Sequence, residues 1–184
     1  FTTPCKISLR NIKMPTPSYM SITGTAQGNI TEGANSVESM GNAYQSDHTD
    51  EVTVQAFKHK VLIPRDPQSG QPSGQRVHQP FIITKVFDKS SPKLYAALTS
   101  GERLTTIVLK WYRTSMTGKQ EHYFTHELED AVIVDIDTYM PNAQDPEQAH
   151  FTHLEDVAFT YRKITWTHEV SGVSGSDDWR EPKA

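Results

Sequence analysis

Cysteine is almost absent from this sequence. Its 184 residues include one, Cys5, which lies in a short opening segment that differs in character from the rest. A single cysteine cannot form a disulfide within the chain, and the remaining residues offer no thiolate for catalysis or metal binding. This usage fits a protein that folds in a reducing cytoplasm, and it does not exclude later export.

Long apolar runs and an excess of basic residues are also missing. No apolar stretch approaches the roughly 18 residues that a transmembrane helix needs, so we expect no membrane insertion. Basic residues number 18 against 22 acidic ones, which gives a formal net charge of −4. An acidic chain without a basic run is a poor partner for nucleic acid, and we expect none to bind.

The first thirteen residues, "FTTPCKISLRNIK", contrast with the rest of the chain. They hold three bases and no acid, so the net charge of the remainder is −7. Met14 begins "MPTPSYMSITG", which resembles a natural protein start. We interpret residues 1–13 as a non-native extension or upstream translated sequence, because they lack the apolar core of a signal peptide. Residues 14–184 are expected to form a single domain.

Catalytic motifs are missing as well. The sequence contains no dinucleotide-binding glycine pattern, no P-loop and no Gly-x-Ser-x-Gly elbow. His122 and His126 lie about 13 Å apart if they share a strand, too far to bind one metal ion. His150 and His153, beside Glu155, are the best metal candidates, and they leave a metal-dependent hydrolase open as one hypothesis. The favoured prediction is that the protein is not an enzyme and binds no cofactor or metal.

Alternating apolar and polar residues, typical of β-strands, make up much of the chain. Two of these runs change the phase of their alternation, at Phe57 and after Arg162, which predicts bulged or bent strands. The count is about eight strands, which favours a mainly β fold, either a two-sheet β-barrel or a β-sandwich. Seven segments carry the strand pattern, two of them bent: 19–26, 51–63, 81–87, 104–113, 120–128, 131–136 and 154–170.

One short α-helix is predicted in "SSPKLYAALTSGE" and is expected to flank the sheets. Ser91 is a suitable N-cap, Pro92 suits the first turn, and Gly101 suits the position just past the end. Three apolar residues at helical spacing give the helix one face to pack on a sheet. They are Leu94, Ala97 and Leu98.

A proline- and glycine-rich stretch, "PRDPQSGQPSGQRVHQP", interrupts the strands at residues 64–80. The residues before it supply only about two strands, too few for an independently stable domain. We therefore interpret this stretch as a loop within one domain.

Aromatic residues provide an alternative function. Trp111, Tyr112 and Tyr123 could form a concave platform on a monomeric ligand- or carbohydrate-binding β-sandwich module. The competing interpretation, which we favour, is that these rings pack in the core or against a sheet face.

Five blocks occur in order from about Met14 to the C-terminus: "MPTPSYMSITG", "IPRDPQSGQPSGQRVH", "VFDKSSPKLYAALTSGERL", "HFTHLEDV" and "YRKITWTHEVSG". Together they resemble the haemolysin-coregulated protein (Hcp) family of type VI secretion. The resemblance implies a β-barrel with a flanking helix that assembles into hexameric rings, which stack into a tube. The tube would form in the cytoplasm inside a contractile sheath, carry a spike, and leave the cell without a signal peptide, with small effectors in its lumen.

The same resemblance implies a role for residues 64–80, as a loop that contacts neighbouring subunits or the adjacent ring. Its candidate interface residues are Arg65, Asp66, Gln71, Gln75 and Arg76. The alternative is a mobile loop tip that contacts nothing.

Overall fold

The computed structural model describes residues 16–147 and 152–181. Residues 1–13 and His150 therefore lie outside the described residues. The described elements are β1 (Ser18–Gly24), β2 (Gly28–Asn29), α1 (Val37–Met40), β3 (Val52–Lys58), β4 (Val61–Leu62), β5 (Val77–His78), β6 (Phe81–Val86), α2 (Ser91–Ser100), β7 (Arg103–Thr114), β8 (Gln120–Tyr139), β9 (Leu154–His168) and β10 (Val173–Asp178). Across the described ranges, no helix is long and apolar enough to cross a bilayer.

Six of the strands close into an antiparallel barrel. Their order around it is β1, β7, β8, β9, β6 and β3, and β3 returns to pair with β1. The predicted mainly β fold is confirmed, and it takes the barrel form. Strand β9 pairs with β6 through residues 154–159 and with β10 through residues 163–168. The change of partner falls where the apolar phase of the sequence shifts, at Arg162.

The hydrophobic core fills the barrel interior. Inward-facing side chains of the predicted strands are fully buried, including Ile22, Ile107 and Phe159. The excursion between β1 and β3, expected to be a long irregular loop, contains β2, α1 and two short 3-10 turns. It also contributes Ile30 and Ala34 to the same core. The excursion therefore covers apolar surface of the barrel and is part of the domain.

Strand β8 corrects one prediction. The two strands expected at 120–128 and 131–136 are one continuous strand, Gln120–Tyr139. Asp130 has a positive φ of 54°, but its neighbours Glu129 and Ala131 still pair with β7 and with β9. The break in alternation is thus a local kink at Asp130 that switches the inward face, and the pairing continues in the same register on both sides of it.

The predicted strand at 51–63 is also corrected. Strand β3 ends at Lys58, and Val61–Leu62 pairs with Val77–His78 in a separate two-stranded sheet. The expected bulge is present, because the register between β3 and β6 shifts between Val54 and Ala56. The chain leaves the barrel at His59 and returns to it at Phe81.

The predicted helix is present as α2, and it starts one residue earlier than expected. Ser90 occupies the N-cap position, and Ser91, predicted to be the cap, is the first helical residue. Gly101 ends the helix in the left-handed conformation, with φ of 65°. Leu94 and Ala97 are buried in the barrel core as expected, and Leu98 packs at its margin.

A buried ion cluster fixes the start of α2 to the barrel. The Lys85 ammonium, fully buried on β6, lies 2.6 Å from Glu155 Oε1 and 3.0 Å from Asp88 Oδ1. Ser91 Oγ donates to Glu155 and lies 3.2 Å from the Lys85 Nζ. The two carboxylates and one lysine carry a net negative charge, and the Ser90 amide at the helix start donates to Asp88 Oδ1.

Candidate functional site

The proline-rich stretch belongs to an ordered hairpin, residues 60–79, which we call the arm. Beyond the β4–β5 pairs, the Gln79 amide donates to the Lys60 carbonyl at 2.9 Å, and the Ser73 amide donates to the Pro64 carbonyl at 2.8 Å. Arg65 and Pro72 form a further bridge. The arm is therefore neither a linker between domains nor an irregular loop.

The tip of the arm is a closed turn built around Asp66. The Asp66 amide donates to the Gln71 carbonyl, and the Gly70 amide donates to the Asp66 carbonyl, both at 2.9 Å. Gly70 has a φ of 71°, which favours glycine at this position. The Gln68 amide donates to the Asp66 carboxylate, and this hydrogen bond, with a second from Ser69, lowers the pKa of Asp66. The Asp66 carboxylate thus stabilises the turn through these hydrogen bonds and is also exposed to solvent.

Most of the arm is open to solvent, including apolar side chains. Val61, Ile63 and Val77 are 43%, 56% and 40% exposed. Four of the five predicted interface residues are exposed too: Arg65, Asp66, Gln71 and Gln75. The structure thus brings these four together on one projecting element.

Arg76, the fifth predicted residue, is engaged within the chain. Its Nη2 donates to the carbonyls of Asp178 at 2.6 Å and Glu181 at 3.1 Å, and its Nε donates to the Asp177 carboxylate. Arg76 fastens the base of the arm to β10 and the residues that follow it.

A set of polar side chains, which we call the anchor cluster, surrounds this attachment. It comprises His59, Arg76, His78, Tyr161 and Asp177. The Tyr161 hydroxyl lies 2.7 Å from His59 Nε2 and 2.8 Å from His78 Nδ1. The other ring nitrogen of His78, Nε2, lies 2.8 Å from Asp177 Oδ2. The cluster joins both ends of the arm to β9 and β10.

Burial governs the protonation of this cluster. Desolvation, aided by the nearby His78, lowers the pKa of His59 to about 4. Desolvation and the Asp177 carboxylate raise the pKa of Tyr161. At neutral pH, His59 is therefore uncharged and the Tyr161 phenol keeps its proton.

Sequence reasoning missed His59, His78, Tyr161 and Asp177 as a group. His59 precedes the arm and His78 lies near its end, but their partners follow 83 or more residues later in the chain. The one available signal was the number of histidines, eight in 184 residues. That number does not show which histidines come together in the fold.

The metal hypothesis gains no support from the described residues. His153 stacks on Phe87 with ring centroids 5.8 Å apart, and Glu155 binds Lys85 in the buried ion cluster. Within residues 16–147 and 152–181, no group of three or more potential ligand side chains is arranged to hold a metal ion.

The proposed aromatic platform is not assembled either. Trp111 packs against Phe57 at the core margin and donates its indole N–H to His126 Nδ1 at 2.8 Å. Tyr112 meets the ring of Tyr19 edge to face. Tyr123 instead lies under the Arg113 guanidinium. The three aromatic rings thus pack against different neighbours, as expected for structural roles.

Comparison with known proteins places these features in a family. The model of the family described as "Type VI secretion system effector, Hcp" matches residues 19–168. The chain is 71% identical over 171 residues to the "Major exported protein" of Pseudomonas aeruginosa, covering 93% of this chain and 99% of that protein.

Solved structures agree with the sequence relatives. One, described as a crystal structure of Hcp protein, superposes with a TM-score of 0.87 at 50% identity, over 91% of this chain and all of the other. The secreted protein Hcp3 from Pseudomonas aeruginosa superposes with a TM-score of 0.77 at 62% identity, with the same coverage. The match in sequence and in fold leads to one conclusion: this chain belongs to the Hcp family of type VI secretion proteins.

Proposed function

We propose that the protein is the structural subunit of a type VI secretion inner tube. Its copies assemble into hexameric rings, the rings stack, and the tube is expelled from the cell with small effectors in its lumen. The family match and the close relation to an exported protein support this proposal. In this proposal the protein is not an enzyme, needs no cofactor and binds no nucleic acid.

The arm is the observation that carries the proposal. Its backbone is ordered by hydrogen bonds, yet Val61, Ile63 and Val77 remain substantially exposed. An ordered element that presents β-branched side chains to water is typical of a protein–protein contact. The arm of one copy would contact the barrel wall of the next copy. These are two different surfaces, so the contact is head-to-tail, and repeated head-to-tail contacts close into rings or extend into filaments.

The remaining partners follow from this role. The tube would assemble in the cytoplasm inside the contractile sheath and beneath the spike, and would reach the medium or a target cell without a signal peptide. The absence of cysteine from residue 6 onward suits assembly in a reducing compartment.

The first experiment is the mass of the purified protein by native mass spectrometry and light scattering, followed by negative-stain imaging. Hexameric rings are the expected result. A monomer at every concentration from the micromolar range upward would overturn the proposal and favour the ligand-binding alternative.

Arm variants test the observation itself. Ile63→Glu places a charge on the exposed apolar surface of the arm and is expected to abolish or weaken ring stacking without changing the melting temperature. Met116→Glu is the matched control, because Met116 is fully exposed on the turn between β7 and β8. Deletion of residues 69–74 should likewise leave the barrel folded and weaken tube formation. Unchanged tubes in both arm variants would contradict the assigned role.

A further inference from the structure

We propose that the anchor cluster is a pH-sensitive clamp, a directed chain of hydrogen bonds that holds the arm at neutral pH and releases it in acid. The clamp is a property of the single chain. Its consequence, tubes that loosen in acid, rests on the proposed function.

The distances and the chemistry of each group define the direction of the chain. Asp177 as a carboxylate only accepts, so His78 Nε2 carries a hydrogen and donates to it at 2.8 Å. His78 Nδ1, when the ring is neutral, can then only accept, and it takes the hydrogen of the Tyr161 hydroxyl at 2.8 Å. The Tyr161 oxygen in turn accepts from His59 Nε2 at 2.7 Å. Every group has a partner in this arrangement.

One added proton leaves the clamp intact. If His78 becomes charged, its Nδ1 donates to Tyr161, the phenol turns to donate to His59 Nε2, and the neutral His59 ring carries its hydrogen on Nδ1. The chain reverses its direction, and the imidazolium forms an ion pair with Asp177. A single protonation therefore exchanges one complete hydrogen-bond pattern for another.

A second proton cannot be accommodated in the same way. With both rings charged, each nitrogen facing Tyr161 is a donor, and the phenol hydrogen loses its acceptor in the cluster. The two ring centroids are 6.3 Å apart, so two positive charges would face each other across a partly buried site. Both effects oppose double protonation of the closed cluster, so acid favours a state in which one of the two rings has moved into water.

Neighbouring charges do not offset this cost. Asp177 already binds Arg76, while Asp178 binds Arg162 at 2.8 Å. On the open side, Asp130 is shared by Arg103, Arg162 and Arg180. On the barrel side lies His126, whose pKa is lowered to about 4 by burial and by the proximity of His59. In acid, the side chains around the cluster are therefore positively charged or are carboxylates that already have a basic partner.

Water can deliver the protons. His78 and Tyr161 line a surface groove of about 440 Å³ that is also bordered by Trp179 and the three arginines. Burial lowers the pKa of His59 to about 4, whereas the pKa of an unperturbed histidine is about 6.5. Release of the arm is therefore expected between roughly pH 4 and pH 6.5.

The arm can leave without unfolding the barrel. It joins the barrel at two points, next to His59 and before Phe81, and strands β3 and β6 remain paired with each other. Arg76 and His78 are the arm residues that the anchor cluster holds, and most other arm side chains already face solvent.

Hydrogen exchange followed by mass spectrometry tests the clamp, with rates corrected for the intrinsic effect of pH. Between pH 7 and pH 4.5, the arm amides of Ser73, Val77 and Gln79 are expected to lose protection by about tenfold or more while those of β8 keep theirs. Ile63→Glu, in which ring stacking is expected to be weakened or abolished, is measured alongside the native chain. Loss of arm protection in acid in this variant too separates release of the clamp from unstacking of rings.

Two variants identify the groups responsible. Tyr161→Phe removes the hydroxyl that joins the histidines and should leave the arm weakly protected at both pH values, while the native chain responds only in acid. His168→Gln, at the C-terminal end of β9 and outside the anchor cluster, is the control and should behave as the native chain does. Arm protection that is constant with pH, or that is lost together with protection of β8, would overturn the clamp. Native mass spectra recorded at pH 7 report on ring formation separately. A failure of the proposed function can therefore be distinguished from a failure of the clamp.

Discussion

Two lysine–glutamate pairs in this protein have the same length and opposite surroundings, which allows a direct test of what burial does to an ion pair. Lys85 lies 2.6 Å from Glu155, with side-chain exposures of 0% and 1%. Lys163 lies 2.6 Å from Glu129, with exposures of 33% and 34%. We expect Glu155→Gln to be far more destabilising than Glu129→Gln.

The expected magnitudes follow from the two environments. Glu155→Gln keeps the size of the side chain but leaves Lys85 with Asp88 as its one charged partner in the cluster, beneath the start of α2. Breaking a buried pair from one side costs about 3–5 kcal/mol when the remaining charge has no partner. Because Asp88 still compensates Lys85, we expect a loss at the lower end of that range. The exposed pair is screened by water and contributes about 0.2–1 kcal/mol. The predicted difference is a substantial fraction of the roughly 5–15 kcal/mol that stabilises a typical domain.

The assay is urea unfolding at pH 7, at one fixed protomer concentration, because assembly would add its own stabilisation. Both variants should unfold with the slope of the native chain, and the Glu155→Gln midpoint should fall much further. Equal midpoints would refute the reasoning, because burial would then have no effect on the strength of the pair.

The remaining predictions concern the core and acid stability. Leu94→Ala should lower the free energy of unfolding by about 2–5 kcal/mol, while Tyr95→Ala, on the exposed face of α2, should have little effect; equal losses would contradict the assigned packing. Leu98→Asp should cost several kcal/mol because it places a charge against the barrel core, and an unchanged melting temperature would show that the helix does not pack there. His59 and His126 have pKa values of about 4 in the folded chain, below the unfolded value of about 6.5. The unfolded chain therefore binds more protons between these limits, and the stability should fall as the pH drops through that window. A flat dependence of the urea midpoint between pH 6.5 and 4 would contradict the lowered pKa values.

Local patterns in the sequence predicted the elements that depend on local physics. Alternation identified most of the barrel strands, and the phase changes near Phe57 and Arg162 correctly marked bends. The same signal misled at Asp130, because a kink within a strand and a strand end both interrupt alternation. Continued pairing with β7 and β9 distinguishes them, and that information lies in distant residues.

The helix and the arm show the same limit. Ser90 and Ser91 are both good cap residues, and the choice between them depends on Glu155, which takes the Ser91 hydroxyl into the buried ion cluster. The position of the arm depends on Arg76 and His78 meeting Asp177 about a hundred residues later. Exposed arm residues could be predicted from composition, whereas the anchor that holds them required the fold.

Closure of the barrel limits how copies of this chain can associate. Each of the six barrel strands has a strand neighbour on both sides, so these strands offer little unpaired backbone on which another chain could nucleate an amyloid-like sheet. Among the described residues, strands β2 and β10 border the large sheet; β2 has two residues, and the sequence of β10, "VSGSDD", is short, polar and acidic at its end. The barrel wall is thus protected from indiscriminate strand addition, and contacts made by the wall are left to side chains, which can discriminate between correct and incorrect neighbours.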